Sequence, residues 1–187
     1  MHVVKNPMRI LVTVILVIAL VFAFTVTDRQ NDSYAASMSV SSKGIEYGVI
    51  ADKYGIKGKA VKNGIPTCSI PLSIKNPPKG TKYYAVYMYD PDAKNFTHWI
   101  AVNYKSKTFP ENASKANAKS MIQGKNGYKS IGYGGPNPPK THTYTIKVYA
   151  LKSKLNLKKG FTKKQFLTEI RGKVLGTVTI TGKYSKK

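Results

Sequence analysis

Three stretches of the chain alternate along the two-residue period of a half-buried strand. In Lys82 to Tyr89, the side chains of Tyr84, Val86 and Met88 share one face with Asp90, while Tyr83, Ala85, Tyr87 and Tyr89 take the other. His98 to Asn103 predicts a second strand, with His98, Ile100 and Val102 on one side. Thr143 to Leu151 predicts a third, in which His142, Tyr144, Ile146, Val148 and Ala150 fall together. Shorter β-like runs, Ile45 to Ile50 and Gly58 to Val61, are punctuated by the turn signals Asn63-Gly64 and Pro77-Pro78-Lys79-Gly80. The period changes only near the end. Thr162-Lys163-Lys164-Gln165 fits a capping box, Phe161 and Phe166 fit the hydrophobic staple around it, and Gly172 supplies a stop. This predicts one short helix packing Phe166, Leu167 and Ile170 inward, then a last strand from Val174 to Ile180. The polar segment from Lys105 to Lys129 reads as a surface excursion with a helical turn. Short strands, glycine and proline turns and one late helix favour an antiparallel β-sandwich over βαβ units.

The start of the chain has a different pattern. Lys5 and Arg9 precede the almost uncharged apolar run Ile10 to Val26, and small residues follow at Ser33, Ala35 and Ser37. Residues 1–36 therefore read as a signal peptide or membrane anchor, which leaves 37–187 as one domain outside the cytoplasm, secreted or on the outer face of the membrane. Thr27 to Ser42, polar and short of large apolar groups, reads as a tether. Cys68 is the only cysteine, so no internal disulfide forms and the domain depends on its core; a small buried residue is the expected role of this thiol.

Charge adds a class of partner. The chain has 31 Lys and Arg against 8 Asp and Glu; residues 1–36 hold three of the former and two of the latter, so 37–187 keep 28 against 6, a net +22. Such a field attracts anionic surfaces, membrane or cell-wall polymer, and weakens with salt. Arg171 is the sole arginine after residue 36. Lysine is a point charge rather than a bidentate reader, so this is attraction without recognition, and no motif of specific nucleic-acid binding accompanies it.

Candidate chemistry comes from three polar residues on apolar stripes. Asp90, His98 and His142 each end a row of apolar side chains, and a polar group at a core rim needs partners, because burying it unpaired costs about 1–3 kcal/mol. An aspartate accepting from one imidazole nitrogen orients the ring and leaves the other nitrogen facing the cavity. The loop Gly132-Tyr133-Gly134-Gly135-Pro136, stiffened by Pro138 and Pro139, has the composition of a nest of backbone N–H donors, and Tyr144 shares the face of His142. A small phosphate or carboxylate would then meet loop donors, both imidazoles and a phenol. Two histidines and a carboxylate are also the donor set of a facial metal triad, the competing reading. No nucleophile elbow, phosphate-loop motif or Cys/His ligand spacing is present, so a binding protein without cofactor is expected rather than an enzyme.

The chain resembles the phosphatidylethanolamine-binding proteins, also called Raf kinase inhibitor proteins, and especially their bacterial branch. The residues that carry the resemblance are Asp90-Pro91-Asp92-Ala93, His98-Trp99 with Asn103, Gln123-Gly124-Lys125-Asn126, and Gly132 to Pro136 through Pro139 to His142 and Tyr144, in the family's order. Ser69-Ile70-Pro71-Leu72 and Pro78-Lys79-Gly80-Thr81-Lys82 precede them. The resemblance implies a Greek-key arrangement of the sandwich, with its short C-terminal helix and peripheral loops. It also implies a ligand pocket at Asp90, Asp92, His98, Gly134, Gly135, Pro136, His142 and Tyr144 that takes phosphate groups, phospholipid head groups among them. Relatives that inhibit kinases or proteases make a protein partner the alternative expectation. The link Lys94-Asn95-Phe96-Thr97 is shorter than is usual in the family, which implies a more open rim.

Overall fold

The computed structural model describes residues 37–186, and Ser37–Lys187 form one compact unit. The leader read from residues 1–36 lies outside the described residues. Among the described residues twelve strands run in chain order: β1 Ser39–Ser41, β2 Ile45–Glu46, β3 Val49–Ile50, β4 Val61–Lys62, β5 Ile65–Pro66, β6 Leu72–Lys75, β7 Tyr83–Asp90, β8 Phe96–Tyr104, β9 Thr108–Phe109, β10 Ile122–Gln123, β11 His142–Leu151 and β12 Val174–Tyr184. The main sheet has seven strands in the order β10-β8-β7-β11-β12-β3-β2, a second sheet has the order β1-β6-β9, and β4-β5 form a separate hairpin. The fold is mainly β, as expected.

Two cores lie on the two faces of the main sheet. On one face, Val86 and Met88 of β7, Trp99 of β8 and Ile146 and Val148 of β11 pack with Leu72, Ile74 and Phe109 of the three-stranded sheet. On the other, Ala85, Tyr87, Ile100 and Val102 pack with Leu155, Phe161, Phe166 and Ile170. Because β7 is covered on both sides, both sets of its alternating side chains are apolar. β11 keeps a cleaner alternation, its even-numbered residues buried and most odd-numbered ones half-buried.

The helix Lys163–Glu169 closes the second face. Thr162 Oγ1 accepts from the backbone N–H of Gln165 at 3.3 Å, and Gln165 Oε1 accepts from the N–H of Thr162 at 2.8 Å, which completes the capping box. Phe161 stacks on Phe166 at 6.4 Å, and Gly172 takes φ 68° past the helix end. Among the described residues no helix is long and apolar enough to cross a membrane.

Five expectations need correction. The sheets are not wholly antiparallel: β12 pairs with β3 in parallel, at Lys183 and Val49. Ile45 to Ile50 is two strands, folded back by Tyr47 and Gly48, both with positive φ, in the manner of a tight hairpin turn. The end of the tether is a strand, because β1 pairs with β6 from Ser39 to Ser41 and leans Val40 on the first core. The segment Lys105 to Lys129 is not only a surface excursion: it contributes β9, the one-turn helix Ala113–Ala116 and β10, and it buries Phe109 completely. Leu167 points outward, 41% exposed, since Phe166 and Ile170 already occupy the inward stripe of so short a helix. Cys68 is half-buried against the first core, and burial, ahead of the charge of Glu111, pushes its thiol pKa up, away from a reactive thiolate.

Candidate functional site

The C-terminal end of β7, the start of β8 and the start of β11 meet at one rim of the first core. Strand β7 stops at Asp90 because the next residue is a proline, and Asp90 caps the short turn Pro91–Ala93 by accepting from the N–H of Ala93 through Oδ1 at 3.2 Å. Its other oxygen, Oδ2, accepts from Nδ1–H of His142 at 2.7 Å. Both side chains are more than nine-tenths buried. Desolvation makes this contact stiff, and it points the ring of His142 in one direction.

His98 reaches the same rim by a break in strand parity. Met88 pairs with Trp99 and Tyr89 with Thr97, so two steps along β8 answer one step along β7, a bulge at His98. Regular alternation would place His98 beside Ile100 and Val102, which face the helix-side core. Instead its ring lies edge-on to Tyr144, 5.1 Å between centroids, and Tyr144 belongs to the opposite core. The expected shared face with Ile100 and Val102 is therefore wrong for His98, while its expected meeting with Asp90 and His142 is right.

The protonation of His98 follows from its partner. Nδ1 lies 2.6 Å from the carbonyl oxygen of Gly134, and a carbonyl only accepts, so the proton of the neutral ring sits on Nδ1 and Nε2 is the acceptor. Burial lowers the pKa of this imidazole to about 4, against the weaker opposing pull of the Gly134 carbonyl and of Asp90. At neutral pH His98 is therefore uncharged, and the expectation that both imidazoles donate to a ligand is corrected for this one. Burial, ahead of the neighbouring Asp90 charge, raises the phenol pKa of Tyr144, which keeps its O–H as a donor.

The glycine loop supports the cavity from behind. The N–H groups of Gly132, Gly134 and Gly135 donate to the carbonyls of Gly124, His98 and Pro66, and that of Tyr133 donates to Ser114 Oγ. None is left as a free nest donor, which corrects that expectation. Gly134, Gly135 and Pro136 are buried, and their carbonyls accept from His98 Nδ1, the Tyr128 hydroxyl and the N–H of Ile56. A Cβ on Gly134 would come within 2.6 Å of the Tyr128 ring, and one on Gly135 would collide with the backbone oxygen of Tyr54. The glycines are there for close approach.

The cavity so formed has a volume of about 210 Å³, and Asp90, His98, His142 and Tyr144 all line it. Asp92 lies at the exposed edge and accepts from the N–H of Thr143 at 2.8 Å, tying the turn to β11. Ala93, Phe96, Tyr128, Asn137, Pro138 and Pro139 complete the walls. Sequence reasoning missed Phe96 and Tyr128 as wall residues. Phe96 stands two residues before His98, but Tyr128 carried no readable signal, lying in a segment taken for surface.

A metal would find a different donor set from the two-histidine triad. One ligand atom each from Asp90, Asp92 and His142 lie within 4.8 Å of one another, without His98. Asp90 and Asp92 each already accept a backbone N–H, and His142 Nδ1 already binds Asp90.

With this geometry in view, comparison decides the family. The profile described as phosphatidylethanolamine-binding protein matches residues 40–185. The chain belongs to that family. A UPF0098 protein of Pyrococcus horikoshii is 38% identical over 127 residues, 63% of this chain and 64% of its own length. A UPF0098 protein of Archaeoglobus fulgidus is 32% identical over 185 residues, 95% of this chain and 60% of its own length. In both cases the match spans less than two thirds of the relative. The crystal structure of a phosphatidylethanolamine-binding protein homologue from Chlamydia trachomatis superposes with a TM-score of 0.70 at 30% identity, covering 81% of this chain and 99% of that one. The bulged His98 and the Asp90–His142 pair are thus features of a family member.

Proposed function

We propose that the protein is a binding module for small phosphate-bearing ligands, including the head groups of phospholipids, and that it performs no covalent chemistry. The observation that carries this reading is the convergence of the Asp90–His142 pair, neutral His98 and the Tyr144 phenol on one cavity of about 210 Å³. That volume suits a head group rather than a whole lipid, being below the range of about 300–1,000 Å³ that holds drug-sized molecules. The donors and acceptors narrow the ligand further. Tyr144 offers an O–H to an anionic oxygen, whereas Nε2 of His98 asks for a donor, so a ligand with both is favoured. A phosphate monoester that keeps one P–OH meets both demands, and so does a phosphate carrying a primary ammonium group. Release outside the cell and the net +22 of residues 37–187 would concentrate such a module on anionic envelope surfaces.

Calorimetric titration with phosphorylethanolamine tests the assignment. His142→Ala is expected to weaken binding by about tenfold or more, the equivalent of one hydrogen bond to a charged group. Equal affinity in the wild type and the variant would reject the pocket.

A further inference from the structure

We propose that the protein carries a second binding site, separate from the His–Asp pocket, that holds a single-chain anionic amphiphile. The site is a cavity of about 970 Å³ bounded by the β4-β5 hairpin, the segment around Ser114 to Ala118, β10 and the loop at Leu157 to Lys159. It shares no lining residue with the smaller pocket.

Its floor is apolar. Val61, Met121, Ile122, Ile131 and Leu157 line it, and Val61 and Ile131 are among the large apolar side chains left open to water, 38% and 44% exposed. Its rim is positive. Lys59, Lys62, Lys115, Lys158 and Lys159 line the same cavity, and no aspartate or glutamate does. Among the described residues the ion pairs join Lys53 to Glu111, Lys57 to Asp52, His142 to Asp90 and Lys173 to Glu169, so none of the five rim lysines is matched by an acidic side chain.

The uncharged polar groups of the cavity are already engaged. Ser114 Oγ donates to Gln123 Oε1 at 2.7 Å, Gln123 Nε2 donates to the Ser114 carbonyl at 2.8 Å, and Thr67 Oγ1 donates to the Ala60 carbonyl at 3.0 Å. What remains for a ligand is an apolar floor and a cationic rim. An inorganic anion would use only the rim, and an uncharged alkyl compound only the floor. An alkyl chain ending in one anionic group uses both, and the volume lies at the upper end of the range found for small-molecule sites. Lysine, a compact charge on a flexible stem, accepts a carboxylate or a phosphate head equally well.

The test uses the full chain with dodecanoate and dodecyl phosphate below their micelle-forming concentrations. Dodecyl maltoside supplies the same tail without charge, and inorganic phosphate supplies a head without a tail. In the full chain carrying His142→Ala, whose His–Asp pocket is disabled, saturable binding of the two anionic amphiphiles, with the maltoside and inorganic phosphate weaker by at least about tenfold, is expected. The stronger of the two anions names the head group.

Ile131→Lys is the discriminating variant, because it fills the floor with a charge while making the protein more basic. It should weaken dodecanoate binding by about tenfold or more, whereas attraction by lysines alone would make it stronger. Lys158→Ala combined with Lys159→Ala removes rim charge without touching the floor and should also weaken binding, so the question stays decidable if Ile131→Lys misfolds. His142→Ala should bind dodecanoate as the wild type does, which separates this site from the phosphate pocket. Maltoside binding as tight as dodecanoate, unchanged or tighter binding in Ile131→Lys, or an equal loss in His142→Ala would each overturn the proposal.

Discussion

Nδ1 of His98, the residue at the β8 bulge, donates to the carbonyl oxygen of Gly134 at 2.6 Å, locking a neutral imidazole against the loop that lies behind the cavity. Because burial holds its pKa at about 4 against an ordinary 6.5, the unfolded chain takes up a proton between those values and the folded chain does not. The contribution of His98 to stability is thus complete above about pH 6.5 and is lost as the pH falls toward 4, to a total on the order of 3 kcal/mol. His98→Asn retains an N–H for Gly134 but does not titrate. In urea unfolding, the stability of the wild type relative to this variant should fall across that window; a constant difference would contradict the assignment.

Asp90 holds two elements together through its two oxygens, the Ala93 turn and the ring of His142. Asp90→Ala leaves both donors without their partner and should cost about 1–3 kcal/mol for each one that water does not reach. Asp90→Asn, which retains acceptor capacity, should cost less. Unfolding midpoints of the two variants decide the point, and equal midpoints would mean that the carboxylate does not organise the rim.

Gly135 sits where a methyl group would run into the backbone oxygen of Tyr54 rather than into a movable side-chain tip. Gly135→Ala should destabilise by about 1–3 kcal/mol through overpacking. Since the Gly135 carbonyl also accepts from the Tyr128 hydroxyl, the shifted loop should move Tyr128, which is measurable as a changed ring resonance in the NMR spectrum. A stable variant with an unshifted Tyr128 would show that the loop has slack.

Much of this architecture was legible along the chain. β11 announced itself through alternation, and the helix through Thr162 and Gln165, because these signals depend on neighbours within four residues. The three polar residues at stripe ends pointed to the site for a similar reason: a charged or imidazole side chain ending an apolar row needs a partner nearby. The resemblance added residues that local pattern did not single out. Phe109 escaped notice because a single buried side chain in a polar segment has no period, and Tyr128 because its role comes from reaching Gly135.

His98 marks the boundary between what each level decides. Local pattern by itself determined which segments extend, where the helix starts, and that Asp90 and His142 end apolar rows, since side-chain direction follows backbone period within an unbroken element. Only the packed sheet decided that His98 turns to the same side as Asp90, because a bulge exists only between two paired strands and its position depends on the partner's register. The same packing decided that the loop's N–H groups bind carbonyls from distant segments instead of a ligand, and that lysines from three separate segments gather round one apolar floor. Such meetings are long-range, and no local periodicity encodes them.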